Sequence, residues 1–271
     1  MRLRHLATIA PLAALLAMPA LAADPVPLTA HRALYRLTMD TSRGSITGAR
    51  GTMQYEITDV CDGWATRQRL SMTVVSSDGQ DIEMVSDYAT LESKDGLSMS
   101  FRMRQTTETA VTEQVEGTAK LDSPGGPGTI SYAGAEPKTM DIPAGTLFPM
   151  THTAAIIGAA EAGKRFLAVP LFDGTSDKGT QDSSVAIATW SKAGNPAAPF
   201  PALRDMANGR VRIAFFDREK ASVKDKVPGS PDYEVGMRYY ANGVADELQM
   251  DFTDFVMLGK LTEFTVPEPH C

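Results

Sequence analysis

Residues 52–74 read TMQYEITDVCDGWATRQRLSMTV, and the fold is decided by this stretch. Met53, Tyr55 and Ile57 alternate with Thr52, Gln54, Glu56 and Thr58. After Val60-Cys61-Asp62-Gly63, the residues Trp64, Leu70, Met72 and Val74 oppose Arg67, Arg69, Ser71 and Thr73. A hydrophobic period of two marks a strand with one dry and one wet face, and Asp-Gly is a turn signal. The reading is an antiparallel hairpin with Cys61 at a strand end beside the turn and Trp64 opening the next strand. The only other cysteine is Cys271. Two cysteines in a secreted chain most simply pair. That pair would tie the C-terminus to the first hairpin and close a loop of about 210 residues.

Secretion is read from the N-terminus. Met1-Arg2-Leu3-Arg4-His5 is a basic start, Leu6 to Leu21 is apolar but broken by Pro11 and Pro19, and Ala20-Leu21-Ala22 has the small-x-small form of a cleavage site. Residues 1–22 are therefore expected to be a signal peptide and 23–271 a single domain. A membrane anchor would need about 20 unbroken apolar residues. The 26 basic residues against 33 acidic ones give a net charge of −7, and cleavage removes Arg2 and Arg4 and no acid. That balance argues against nucleic acid and against docking on anionic lipid by charge alone. The cysteines and the short basic start suit a bacterial periplasm.

Outward from the hairpin the alternation continues. Ala33, Tyr35, Leu37 and Met39 share a face within His31–Met39, Ile82, Met84 and Tyr88 follow Asp78-Gly79, and Leu97, Met99, Phe101 and Met103 follow Asp95-Gly96. Thr106 to Leu121 reads as a polar continuation, and Ser123 to Gly128 as a Pro/Gly loop, either an excursion between strands or a soft boundary. Thr129–Ala133 and Lys138–Ile142 read as short strands. The pattern then changes: Thr151 as N-cap, alanine-rich His152 to Ala162 and Gly163 at the end predict one helix with Ala155, Ile156, Ala159 and Ala160 as its apolar stripe. Strands are expected again at Arg165–Phe172, Val185–Trp190, Arg210–Asp217, Tyr233–Tyr240 and Val244–Phe252. The last two are joined by Asn242-Gly243, a strong hairpin signal. Phe255–Phe264 reads as a strand pair or a strand bent at Gly259, Arg218-Glu219-Lys220 as a solvated turn, and Val266–Cys271 as an extended tail. About a dozen strands at regular spacing point to a barrel, a sandwich or one wrapped sheet.

Catalytic signatures are absent. His31, His152 and His270 have no metal-ligand spacing, no Gly-x-Ser-x-Gly elbow occurs, no glycine loop of phosphate-binding form is present, and Cys61 and Cys271 lie too far apart for a Cys-x-x-Cys centre. No catalytic residue, metal or cofactor is expected. The methionines are the remaining feature: Met39, Met53, Met72, Met84, Met99 and Met103 all fall on dry faces of successive strands. Such a face either fills the core or, because methionine is pliable and polarisable, adapts to apolar ligands such as acyl chains or lipidated peptides.

The signal peptide, Cys61-Asp62-Gly63-Trp64, Phe148-Pro149 with His152, Phe172-Asp173-Gly174, Asn242-Gly243 and Cys271, in this order, resemble the EipB family of alphaproteobacterial envelope integrity proteins. The resemblance spans His31 to Cys271. It departs mildly at Thr175, where serine is the more usual residue. It implies a mainly β fold: a spiral, half-open antiparallel sheet wrapped around one α-helix and an internal cavity, closed by a disulfide that maps onto Cys61 and Cys271, and similar to the fold of periplasmic lipoprotein carriers. It carries no catalytic residues. The expected function is a non-enzymatic periplasmic protein supporting envelope integrity, holding a hydrophobic or lipidated ligand, a lipoprotein or a periplasmic protein partner in its hollow. The alternatives are an enzyme acting on envelope polymers and a pure docking scaffold.

Overall fold

The structure is a computed structural model that describes residues 26–218, 230–268 and 271. The chain begins with eight strands: β1 (His31–Ser42), β2 (Ile46–Asp59), β3 (Gly63–Ser76), β4 (Asp81–Ser93), β5 (Ser98–Thr107), β6 (Ala110–Leu121), β7 (Gly128–Ala133) and β8 (Lys138–Ile142). Helix α1 (Pro149–Glu161) follows. The chain ends with β9 (Phe166–Leu171), β10 (Gln181–Ile187), β11 (Asn208–Asp217), β12 (Tyr233–Tyr240), β13 (Ala245–Asp251) and β14 (Phe255–Thr265). Among the described residues these fourteen strands form one antiparallel sheet in the order β8-β7-β6-β5-β4-β3-β2-β1-β14-β13-β12-β11-β10-β9.

The order dictates the shape. The first and last strands pair in the middle of the sheet, Leu37 opposite Gly259, so the two edges come from the middle of the chain. A flat sheet would hold β8 and β9 about 60 Å apart, whereas the 13 residues of α1 span only about 20 Å. The sheet must therefore curl until its edges come within reach of the helix. Leu147, just before α1, indeed bridges Leu171 of β9 in parallel, and Phe172 inserts between Phe101 of β5 and Phe148, with ring centroids at 5.1 and 6.4 Å.

The interior has three packed regions. Tyr35, Leu37, Met53 and Met72 meet Met257, Leu248 and the loop residues Ala198 and Leu203. Met99, Phe101, Ile130 and Tyr132 close over Phe148 and Phe172. Ile156, Ala159 and Ala160 of α1 pack on Val185, Ile187, Val211 and Ile213 of β10 and β11. Met150, His152, Ile156, Ile157, Ala159 and Ala160 are all buried, as expected of a helix enclosed on more than one side.

Several sequence expectations are corrected. Helix α1 starts at Pro149 rather than His152, with Phe148 in the cap position and no side-chain cap of its own. Proline fits the first helical turn, whose N–H is unpaired in any case. Gly163 does end the helix: at φ +74°, its N–H donates to Ala160 O and that of Lys164 to Ala159 O, a Schellman closure. Thr106 to Leu121 is no single continuation but a hairpin. Glu108 adopts φ +57° and donates its N–H to Glu83 O at 2.7 Å, so a turn forms without glycine, proline or asparagine to announce it. β10 spans Gln181–Ile187 instead of Val185–Trp190, because its extent follows its pairing with β9 and β11. Phe255–Thr265 is one strand, and its register irregularities fall at Leu34/Tyr35 and Met39/Thr41 of the partner β1. Residues 123–128 connect neighbouring strands β6 and β7. The signal peptide, Glu219, Lys220 and His270 lie outside the described residues. Arg218 bonds Asp182 at 2.6 Å.

Candidate functional site

The sequence motifs converge on the N-terminus of α1. Cys61 and Cys271 are joined, with Cα atoms 5.5 Å apart. Asp62 lies in the turn and its carbonyl accepts the Lys94 N–H at 2.9 Å. Gly63 opens β3 so close to β4 that a Cβ there would lie 2.7 Å from the Glu92 carbonyl oxygen. Trp64 pairs with Glu92 across the ladder and carries the Lys94 ammonium 5.0 Å above its ring. These contacts position Glu92, which is 1% exposed. Its carboxylate accepts the Met150 N–H at 2.7 Å, the Thr151 N–H at 2.9 Å and the Thr151 hydroxyl. A strand residue thus supplies the cap that α1 lacks, at the end of the helix where backbone donors are unpaired and the dipole favours a negative charge. Burial pushes the carboxyl above the ordinary range and the three hydrogen bonds pull against that.

The second motif holds the other side of the helix entry. Phe172 is fully buried. The Asp173 carboxylate accepts from Thr175 N at 3.0 Å, Thr175 Oγ1 at 2.8 Å and Gln181 Nε2 at 2.7 Å, and its carbonyl accepts the Tyr88 hydroxyl. Thr175 therefore supplies the hydroxyl contact that a serine could also make. Gly174 sits at φ +71° with the Phe101 ring 2.6 Å from where a Cβ would be, so both conformation and space require glycine.

Of the six methionines, Met53, Met72, Met99 and Met103 are buried, while Met39 and Met84 are partly exposed against the core. A solvent-facing cavity lies elsewhere. It is a groove of about 670 Å³. The ladder registers put Arg32, Leu34, Gln54, Glu56, Arg67, Arg69, Asp87, Ala89, Arg102 and Arg104 all on the wet face, opposite Tyr35, Met53 and Met72.

The EipB-like family model matches residues 22–268. The chain belongs to the EipB-like family. The cell envelope integrity protein EipB of Brucella abortus (strain 2308) is 32% identical over 257 residues, covering 90% of this chain and 86% of the relative. A crystal structure of a beta-barrel-like protein of the domain of unknown function DUF1849 from Brucella abortus matches with a TM-score of 0.80 at 28% identity, over 90% of this chain and 100% of that one.

In this EipB-like chain Glu92 is the residue that sequence reasoning passed over. It shares the parity of Ile82, Met84 and Tyr88, the dry face of β4, so an acid in an apolar row was the available signal. A second buried polar pair also escaped notice: His152 Nε2 and Ser183 Oγ lie 2.9 Å apart, at 5% and 1% exposure. A nucleophile needs access as well as a base, and neither residue lines any of the three described cavities. The pair reads as a buried hydrogen bond holding α1 to β10. Among the described residues no group of three metal-ligating side chains gathers, and no helix is long and apolar enough to cross a membrane.

His152 makes a pH prediction. Burial pulls its pKa down to about 4 from 6.5. The unfolded chain therefore takes up a proton at higher pH than the folded one, and stability falls as pH drops from about 6.5 to 4. Over that window the loss attributable to His152 is roughly 3 kcal/mol. Urea unfolding of the wild type and of His152→Gln across this range should show a flatter profile in the variant. Parallel profiles would take His152 out of the acid response.

Proposed function

We propose that this protein supports the cell envelope from the periplasm without chemistry of its own, by binding. The envelope role is carried over from its EipB relative, and the periplasmic location from the N-terminal signal sequence read in residues 1–22. The observation that carries binding is the groove on the wet face. A concavity of about 670 Å³, lined by planar cationic side chains and a few apolar ones on strands paired on both sides, is a preorganised surface that loses little entropy when occupied. A single domain over residues 23–271 belongs to the same reading.

A second reading keeps the methionine face as an apolar ligand surface. It is favoured by the partial exposure of Met39 and Met84 beside Ile46, Tyr233 and Phe252. It places an acyl chain at the dry side of the sheet instead of a polar partner on the wet side. Native mass spectrometry of protein purified gently from its own periplasm, with and without prior crosslinking, separates the two. A protein partner crosslinked to β1–β5 supports the groove, and a stoichiometric lipid released by solvent supports the methionine face. Bare protein mass in both preparations would overturn binding as the function.

A further inference from the structure

The groove has a charge pattern that its chain as a whole does not. The protein carries a net charge of −7, yet the groove is lined by five arginines, Arg32, Arg67, Arg69, Arg102 and Arg104, against the three carboxylates Glu56, Asp87 and Glu263. The arginines sit on β1, β3 and β5. Register alternates them with acids on the strands between: Arg32 faces Glu56, which faces Arg67, and Arg69 faces Asp87, which faces Arg104. Two of the carboxylates are already engaged. Glu56 takes Arg32 at 2.7 Å and Asp87 takes Arg69 at 2.8 Å. Arg102 reaches out to Glu116 at 3.6 Å. Arg67 and Arg104 have no ion-pair partner among the described residues.

We propose that this groove binds an extended acidic polypeptide segment of another protein, laid across the strands with its carboxylates on Arg67 and Arg104; this rests on the binding role proposed above. Three features select that occupant. Guanidinium forks match carboxylates bidentately, which sets the sign and geometry of the ligand. The arginine strands are two strand spacings apart, about 10 Å, and the lining from β14 to β5 runs roughly 24 Å, the reach of an extended segment and not of a single small anion. The inner arginines Arg67 and Arg104 are flanked by the carboxylates Glu56, Asp87 and Glu263, a mixed pattern that favours a narrow segment seated on two cations over a broad anionic surface such as a bilayer. The strands under the groove are paired on both sides, so recognition falls to side chains, with Leu34 and Ala89 as apolar contacts between the charges.

The test is fluorescence anisotropy with a labelled short peptide carrying Glu at alternate positions and Leu and Ser between, at low and at near-physiological salt. The wild-type full mature chain should bind it with a salt-sensitive affinity, and a peptide with Lys in place of Glu should not bind. Arg67→Ser with Arg104→Ser should weaken binding about tenfold. Glu56→Gln with Asp87→Asn should tighten it, because Arg32 and Arg69 lose the carboxylates that occupy them; a merely unfolded variant could not give that result. Unchanged affinity in the arginine variant overturns the groove as the site. Absence of peptide binding at low salt, or binding of an oligo-uronate or of anionic phospholipid vesicles in its place, overturns the acidic segment as occupant. If the peptide fails while the gently purified protein still carries a crosslinked partner, this inference falls and the binding role stands.

Discussion

Cys61→Ser lowers the free energy of unfolding by up to about 5 kcal/mol, the largest single effect expected in this protein. The disulfide joins residues 210 positions apart, and closing a loop of that size in the unfolded chain removes about 5 kcal/mol worth of entropy on the chain-entropy model. The bond is seated on a prepared turn. Cys61 adopts φ +71°, its N–H donates to Asp59 Oδ1 at 2.9 Å, and Asp59 is in turn held by Lys94 at 2.7 Å. The hydrogen bond from Lys94 leads in keeping the Asp59 carboxyl below its ordinary range. Cys61 and Cys271 are both exposed, so reductant reaches the pair without prior unfolding. Urea unfolding of oxidised wild type, reduced wild type and Cys61→Ser should give one high midpoint and two similar low ones. Midpoints within the equivalent of about 1 kcal/mol of one another would show that the pairing of β1 with β14 already constrains the unfolded ensemble enough to make the covalent tie redundant.

Glu92→Ala is the second large effect, about 3 kcal/mol. The substitution strips the acceptor from the buried Met150 N–H and the part-buried Thr151 N–H at the start of α1, and from the Thr151 hydroxyl. Each buried donor left unsatisfied costs about 1–3 kcal/mol, and the favourable charge at the helix dipole is lost with it. Glu92→Gln retains one carbonyl acceptor but turns an amide donor toward backbone donors, so it falls between wild type and alanine. The pH response has a definite sign. The folded carboxyl lies above its ordinary value, so between those two values the folded state holds the proton more often than the unfolded one, and the Glu92 contribution to stability falls as pH rises through that window. This is opposite in sign to the His152 contribution, and the two single variants separate them. Amide exchange of Met150 and Thr151 gives the local readout: protection should drop in Glu92→Ala before any global loss. Unchanged protection there, with stability within about 1 kcal/mol of wild type, would mean that the helix entry is held by Phe148 and Phe172 alone.

Both residues bear on what the groove proposal needs, which is a sheet that does not shift. The outer-face arginines keep their two-strand spacing only while β1 to β5 stay paired in register. The disulfide at the β2–β3 turn ties the ends of two of those strands, and the Glu92 latch holds β4 from the dry side.

Most strand positions were legible because alternation is a local property. In β1 the buried residues Ala33, Tyr35 and Leu37 are those that the period-two pattern selects, and Asn242-Gly243 and Asp95-Gly96 turn where their chemistry says they should. The boundaries that escaped were those with no local cause. The Glu108 turn is held by Glu83 from a neighbouring strand, the start of α1 is capped by Glu92 from 57 residues before Pro149, and β10 takes its length from β9 and β11. The sequence by itself determined a two-cysteine, mainly antiparallel chain with one helix, because periodicity, turn residues and cysteine count act over a few residues or simply add up. Only the tertiary structure decided that β1 pairs with β14, that the edges meet around α1, that Glu92 is a cap and that five arginines share one groove. Each of those depends on which distant strands become neighbours, and that is settled by closing the whole sheet, not by any segment within it.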